Sequence, residues 1–270
     1  MEMDTSQSTH LAFGTSPDKN KLREARMLLS GMDYSRITEQ DEDGDTILHI
    51  YTAKGLRECA IAAAERLRSL WTLDAKEHKG KTALLVAVTA NLPDIVCDLL
   101  SLGADINTCD VNGQTALHLA AHYGYNLVLQ SDCSLSSRAT EKLACVQLLL
   151  SKGSSLLSQE IKSNNTVLHL AVKEGNIDLV RFLLKIPQDN MKAHGHTALH
   201  MAAGLHGNPY QKEMVQLLLL RGADPSIRSL ENDQAAHLLQ SGPVGEQLKA
   251  LLKRRNASSR RRIFSLQDNE

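Results

Sequence analysis

Apolar and small residues run along this chain in short blocks, each opened by a polar turn and most closed by glycine or asparagine. The clearest block is Asn112 to Gly124, N-G-Q-T-A-L-H-L-A-A-H-Y-G. Variants stand at Asp43–Gly55, Lys79–Asn91, Ser163–Gly175, His194–Gly204 and, decayed, Asn232–Gly242. Their anchoring residues Thr46, Thr82, Thr115, Thr166, Thr197 and Gln234 are separated by 36, 33, 51, 31 and 37 positions. Inside the block the pattern predicts a helix. Thr115 stands at its N-cap, where a hydroxyl accepts from a backbone N–H that the first turn leaves unpaired. Ala116, Leu117, Leu119, Ala120 and Ala121 form its small-residue body, and Gly124 ends it in the left-handed conformation. A second helix follows, clearest at Asp94–Leu102, where Ile95, Val96, Leu99 and Leu100 fall at helical spacing before Gly103-Ala104-Asp105. Neither helix can bury its apolar face alone, so each unit requires its neighbours.

A period near 33 carrying T-x-L-H-x-A is the sequence mark of ankyrin repeats. The expected fold is an all-α solenoid of about six helix-pair repeats with β-turn fingers between them. The predicted pairs are Thr46–Lys54 with Leu56–Leu70, Thr82–Ala90 with Asp94–Leu102, Thr166–Glu174 with Ile177–Lys185, and Thr197–Ala203 with Gln211–Arg221. A decayed last pair spans Gln234–Leu239 and Gly245–Leu252, and Lys21–Ser30 predicts a helix that covers the first repeat. The 51-residue gap has two readings: an insertion inside one repeat, or loss of residues from two. Tyr125–Gln130 reads as the opening of an outer helix, and a second outer helix follows at Glu141–Ser151, which favours loss. Residues 125–141 are then the local weak point. The chain divides into a polar N-terminal segment 1–40, a repeat domain 41–252 and a basic tail 253–270.

Composition sharpens this picture. Aromatic residues make up 3% of the chain, as suits a core of Leu, Ala, Val and Ile. No apolar run reaches the length of a membrane span, and Met1–Thr15 lacks the apolar core of a secretory signal. The five cysteines (Cys59, Cys97, Cys109, Cys133 and Cys145) are odd in number and scattered, which points to a reducing compartment, cytosol or nucleus. A net charge of −1 conceals an asymmetry: Lys253, Arg254, Arg255, Arg260, Arg261 and Arg262 contribute +6 and leave −7 on the rest. Such a tail reads as a nuclear-import signal, a phosphate or nucleic-acid patch, or a solubilising end, with import favoured.

Candidate chemistry is sparse. His118 and His122 at i and i+4, and His194-x-His196-x-x-x-His200, resemble metal ligands. Yet His49, His118, His169, His200 and His237 occupy one slot of the repeat, which assigns them a structural hydrogen-bonding role, and nothing completes a tetrahedral set. No nucleophile elbow, P-loop or dinucleotide fingerprint is present, so neither an enzyme nor a cofactor or small-molecule substrate is expected. Function then falls to the surface. His78, Lys79, Asn112, Asn164, Lys192 and Asn232 are candidates at finger tips, with His194 beside them. Tyr51, Lys54, Asn91, His122, Tyr123, Lys173 and His206 are candidates on or just after inner helices. Together they offer a strip for a protein partner.

Several stretches go beyond a generic repeat. They are D-G-D-T-I-L-H-I-Y-T-A-K-G-L-R-E at Asp43–Glu58, E-H-K-G-K-T-A-L-L-V-A-V-T-A-N at Glu77–Asn91, S-Q-E-I-K-S-N-N-T-V-L-H-L-A-V at Ser158–Val172 and N-M-K-A-H-G-H-T-A-L-H-M-A-A at Asn190–Ala203. Over residues 40–265 the chain resembles the IκB family and, within it, the nuclear atypical members, IκB-zeta ahead of IκBNS. The resemblance implies binding to NF-κB dimers, particularly homodimers of the subunit that lacks an activation domain. It also implies a nuclear location, induction by inflammatory signals, and activation or repression at promoters. The family's binding surface would map to Tyr51–Lys54, Glu77–Lys79, Lys162–Asn164, Lys192–His194 and Glu231–Asn232. DNA would be reached through NF-κB, with the tail near phosphates. The long N-terminal transactivating region of IκB-zeta and a D-S-G-x-x-S phosphodegron have no counterpart in the sequence.

Overall fold

A computed structural model describes residues 15–126, 144–161, 163–186, 195–229 and 231–253; at 124–126 and 195–197 it describes the helical backbone alone. The expectations for residues 1–14, 127–143, 187–194 and 254–270 therefore lie outside the described residues. Contacts divide the chain into two compact units, residues 1–155 and 156–270.

In the first unit, α1 (Lys19–Ser30) is followed by a single turn, α2 (Tyr34–Thr38). Three helix pairs come next: α3 (Ile47–Ala53) with α4 (Arg57–Ser69), α5 (Ala83–Thr89) with α6 (Pro93–Ser101), and α7 (Ala116–Asn126) with α8 (Ala144–Ser151). Inner helices pack on inner helices (α3 on α5, α5 on α7) and outer on outer (α4 on α6, α6 on α8). The helix α1 packs on α4 in the manner of an outer helix without an inner mate, burying Leu22, Ala25 and Leu29. It thus covers the first repeat as its periodicity predicts. The second unit repeats the plan with α9 (Val167–Lys173) and α10 (Ile177–Lys185), then α11 (Gly195–Ala203) and α12 (Gln211–Leu220). A 3₁₀ turn at Ala235–Leu238 and a last helix, α13 (residues 243–253), complete it.

Burial explains the composition of each helix. The inner helices are nearly all interior: Ala83, Leu84, Leu85, Ala87 and Val88 in α5, and Ala116 through Ala121 in α7. Small residues let neighbouring helices approach closely, and each fully buried Leu or Val contributes about 1.5–3 kcal/mol. The outer face is stitched by arginine forks. Arg57 meets Asp98 with Nε at 2.6 Å and the second nitrogen at 3.1 Å, Arg26 meets Glu65, and Arg181 meets Glu213. Solvent screens pairs of this kind, so each adds little energy. Burial supplies the stability, and the forks fix which helix lies beside which.

Three sequence expectations need correction. The helix α7 does not stop at Gly124 but runs through it to Asn126. Elsewhere Gly55, Asn91 and Gly175 take positive φ because an outer helix begins two residues later and the chain must reverse. In α7 the equivalent residue, Gly124, stays within the helix. Tyr125 accordingly belongs to an inner helix rather than opening an outer one. The helix α8 packs on both α7 and α6, so α7 and α8 form one inner–outer pair. Finally, α11 begins at Gly195, so Thr197 lies inside the helix and not at its N-cap.

The fingers are built from their base. Asp41, Glu77 and Asp110 each stand five residues before the capping threonine and accept backbone N–H groups with their side chains. Asp110 Oδ1 takes the amides of Asn112 and Gln114 at 2.8 and 2.9 Å, and Glu77 takes those of Lys79 and Lys81. Successive fingers then bond through backbone: His78 N–H to Asp43 O at 3.2 Å and Val111 N–H to Lys79 O at 3.1 Å. Gly80 (φ 74°) sits under that second link, where an added Cβ would lie 2.9 Å from the Val111 nitrogen. Gly103 has a similar φ of 96° but open space around it. Gly103→Ala is therefore expected to cost about 1–2 kcal/mol, the left-handed penalty alone. Gly80→Ala should cost more, because the neighbouring finger must also move; urea unfolding of the two variants measures the difference. Equal losses would show that the finger link carries no energy.

Candidate partner-binding surface

The histidine slot is settled by hydrogen bonds. Thr46 N–H and Oγ1 lie 3.2 and 2.9 Å from His49 Nδ1, and His49 Nε2 lies 3.1 Å from Lys81 O in the next repeat. Accepting at Nδ1 assigns the neutral tautomer that donates from Nε2. Thr115–His118 and Thr166–His169 repeat the first half of this arrangement at 2.8 Å each, and His200 Nε2 repeats the second half with Asp233 O at 2.9 Å. The rings of His49 and His200 thus join one repeat to the next, and those of His118 and His169 brace the cap of their own repeat. Among the described residues no group of three His, Cys, Asp or Glu side chains could hold a metal ion. The side chains of His194 and His196 are outside that set.

The first unit brings several candidates together. His78 and Lys79 are exposed at the second finger, the His78 ring lying over Gly44. Within the last turns of α7, His122 and Tyr123 meet edge to face with centroids 4.8 Å apart, and Lys81 Nζ lies 5.7 Å from the Tyr123 centroid. Lys81 was not among the expected residues; its place one before Thr82 is the signal that could have found it. Tyr51 is half-buried at the end of α3, where burial, then the adjacent Cys59, raises its pKa, and Lys54 is exposed beside it. Cys145 donates its thiol to Asn91 Oδ1 at 3.6 Å, and burial pushes that thiol up to about 12.

In the second unit Asn164, Lys173, His206 and Asn232 are all exposed. Lys192, His194 and the tail from Arg254 through Arg262 fall outside the described residues; Lys253 is exposed at the end of α13, lining a groove of about 350 Å³ with His237 and Lys249.

The asparagines have backbone duties of their own. Asn164 (φ 53°) and Asn232 (φ 66°) occupy the left-handed finger position that Gly44, Gly80 and Gly113 hold in the first unit. Asn91 (φ 53°) ends α5 where Gly55 and Gly175 end the equivalent helices. Asn112 Nδ2 bonds Asp110 Oδ2 at 3.3 Å. Sequence reasoning also missed two apolar tips: Val111 is 61% exposed and Ile161 71%, each directly after the carboxylate that organises its finger. Tip side chains that the fold leaves in water are the ones free to meet a partner.

The ankyrin-repeat family pattern, in three copies, matches residues 18–110 and 134–229. The chain is 44% identical to mouse NF-kappa-B inhibitor delta over 88% of its own length and 86% of that protein's. It is 37% identical to human NF-kappa-B inhibitor zeta over 86% of its length and 40% of that protein's. The mouse B-cell lymphoma 3 protein homolog matches at 31% over 84% and 55%. These identities do not support the expected leaning towards the zeta member, since the delta relative is the more similar of the two.

Titration of the first finger gives a direct check on its packing. Burial raises the Asp45 carboxyl above the ordinary aspartate value; His49 opposes this, and Asp41, Glu77 and Asp43 add to it. A carboxyl that holds its proton more tightly when folded costs stability once ionised. That cost is absent below the unfolded pKa and grows as pH rises through the folded one. Asp45→Asn is therefore expected to raise the thermal midpoint at pH 7 and to match the parent chain at about pH 3, below the unfolded aspartate value. A gain of equal size at both pH values would rule out the electrostatic cause.

Proposed function

The chain belongs to the IκB family of ankyrin-repeat proteins, and from that membership we propose that it is a nuclear transcriptional regulator that docks NF-κB dimers through its finger tips and inner helices. It is a regulatory binding protein, not an enzyme. Its relatives carry the name NF-kappa-B inhibitor along most of this chain's length, which supports NF-κB as the partner. The preferred dimers are homodimers of the subunit lacking an activation domain, and the outcome at target genes is modulation in either direction. The observation that carries the reading is the half-buried cluster of Lys81, His122 and Tyr123 beside finger tips held by their bases. Aromatic and cationic side chains fixed in place are what interface hot spots use, because little rotamer entropy is lost on binding.

The tail separates joining from stripping. Six basic residues after an otherwise acidic chain are attracted to DNA phosphates, so the protein can join a dimer already on its site instead of displacing it. Capture of purified NF-κB homodimers, with and without κB-site DNA, tests both parts. Lys81→Glu combined with Tyr123→Ala is expected to weaken capture tenfold or more, about 1.4 kcal/mol. A double variant that binds as well as the parent removes this surface from the interface. Reversing the six tail charges should leave capture of the free dimer intact while weakening the DNA-bound complex and flattening its salt dependence. Unchanged salt dependence rejects the tail contact.

A further inference from the structure

A short strap, residues 15–18, ties the capping helix to the first repeats and has no regular structure of its own. Thr15 donates its N–H and its hydroxyl to the two carboxylate oxygens of Asp94 in α6, at 3.3 and 3.1 Å. The same hydroxyl accepts from Arg57 Nη1 in α4 at 2.9 Å. Asp18 N–H bonds Glu58 Oε1 at 3.1 Å, and the Asp18 carboxylate caps α1 by taking the N–H groups of Asn20 and Lys21. The strap therefore joins the starts of α1, α4 and α6. The first of these packs on α4 without an inner mate, so such ties count for more there than at an internal helix.

Between the two tethers stands Ser16, exposed, with no hydrogen bond to its hydroxyl among the described residues. Pro17 follows and holds Ser16 out of the helical region, in the extended form that a kinase active site accepts. Of the chain's six prolines, Pro17 alone follows a Ser or Thr. We propose that Ser16 is a phosphorylation site for a proline-directed kinase, and that the phosphate unlatches the strap. The Ser16 hydroxyl oxygen bonds the γ-phosphorus of ATP, the bond from that phosphorus to the bridging oxygen breaks to release ADP, and the hydroxyl proton passes to the kinase's base. The product carries about −1.5 to −2 charge. It arrives among Asp18, Glu58, Asp94 and Asp98, and Arg57 beside them is already forked on Asp98 and 3.5 Å from Asp94. Helix starts favour anions, but Asp18, Glu58 and Asp94 already occupy all three. Lys19 and Lys21 are exposed, where solvent screens them. The added charge is therefore repelled, and the strap gives way because none of its residues is buried.

The full chain is incubated with ATP and a purified proline-directed kinase, and phosphate is located by mass spectrometry. Ser16 should be modified in the parent chain and not in Pro17→Ala. The modified chain should melt about 2–4 °C lower and be cut faster by trypsin after Lys19 and Lys21. Both differences should shrink in about 1 M salt, where the screening length falls to about 3 Å. Thr15→Val removes the strap's hydroxyl bonds without adding charge. It should melt below the parent and lose less on phosphorylation, because the same ties are already gone. No phosphate on Ser16 of the chain, while a peptide of residues 10–24 is modified, overturns the proposal, and so does equal modification of Pro17→Ala. An unchanged or higher midpoint after modification means that Arg57 and the helix starts accept the phosphate, and it ends the unlatching. A phosphorylation loss as large in Thr15→Val as in the parent ends it too.

Discussion

A pair of short helices cannot bury its own apolar face, and every other feature of both units answers that constraint. The inner helices are interior on nearly all sides, so each needs a neighbour at close range. The threonine, histidine and next-finger carbonyl fix that range: His49 accepts inside its own repeat and donates to the following one. The second repeat has Leu85 in the histidine slot and no such ring. There the Val111–Lys79 backbone bond is the polar link between fingers, which is why the glycine beneath it tolerates no side chain.

The two sides of a repeat carry different work. Outer helices are joined by forked arginine–carboxylate pairs, whose geometry selects neighbours although each pair adds little energy. Inner helices and fingers leave their polar ends unjoined in several places, and those ends hold the aromatic and cationic groups. The proposed partner surface thus lies where the fold makes the fewest demands on side chains.

Most of the architecture was legible because ankyrin helices repeat one short apolar pattern under one cap. Thr46, Thr82 and Thr166 stand at N-caps where the spacing places them. The histidine slot was legible for the same reason, a residue recurring where a cap needs a partner. What the pattern could not show were features set by context. Gly124 did not reveal by itself whether it stops a helix, and α7 runs through it. The binding candidates were harder still, because Asn91, Asn164 and Asn232 look like surface polar residues while meeting a backbone requirement.

The base of each finger has a consequence for what its tip can carry. Asp41, Glu77 and Asp110 set the bend from within, so the bend itself does not need the side chain of the residue that follows. In this chain that residue is Glu42, His78 or Val111, three unrelated chemistries on one scaffold. Side-chain chemistry at these points can therefore change while the bend that carries it stays the same.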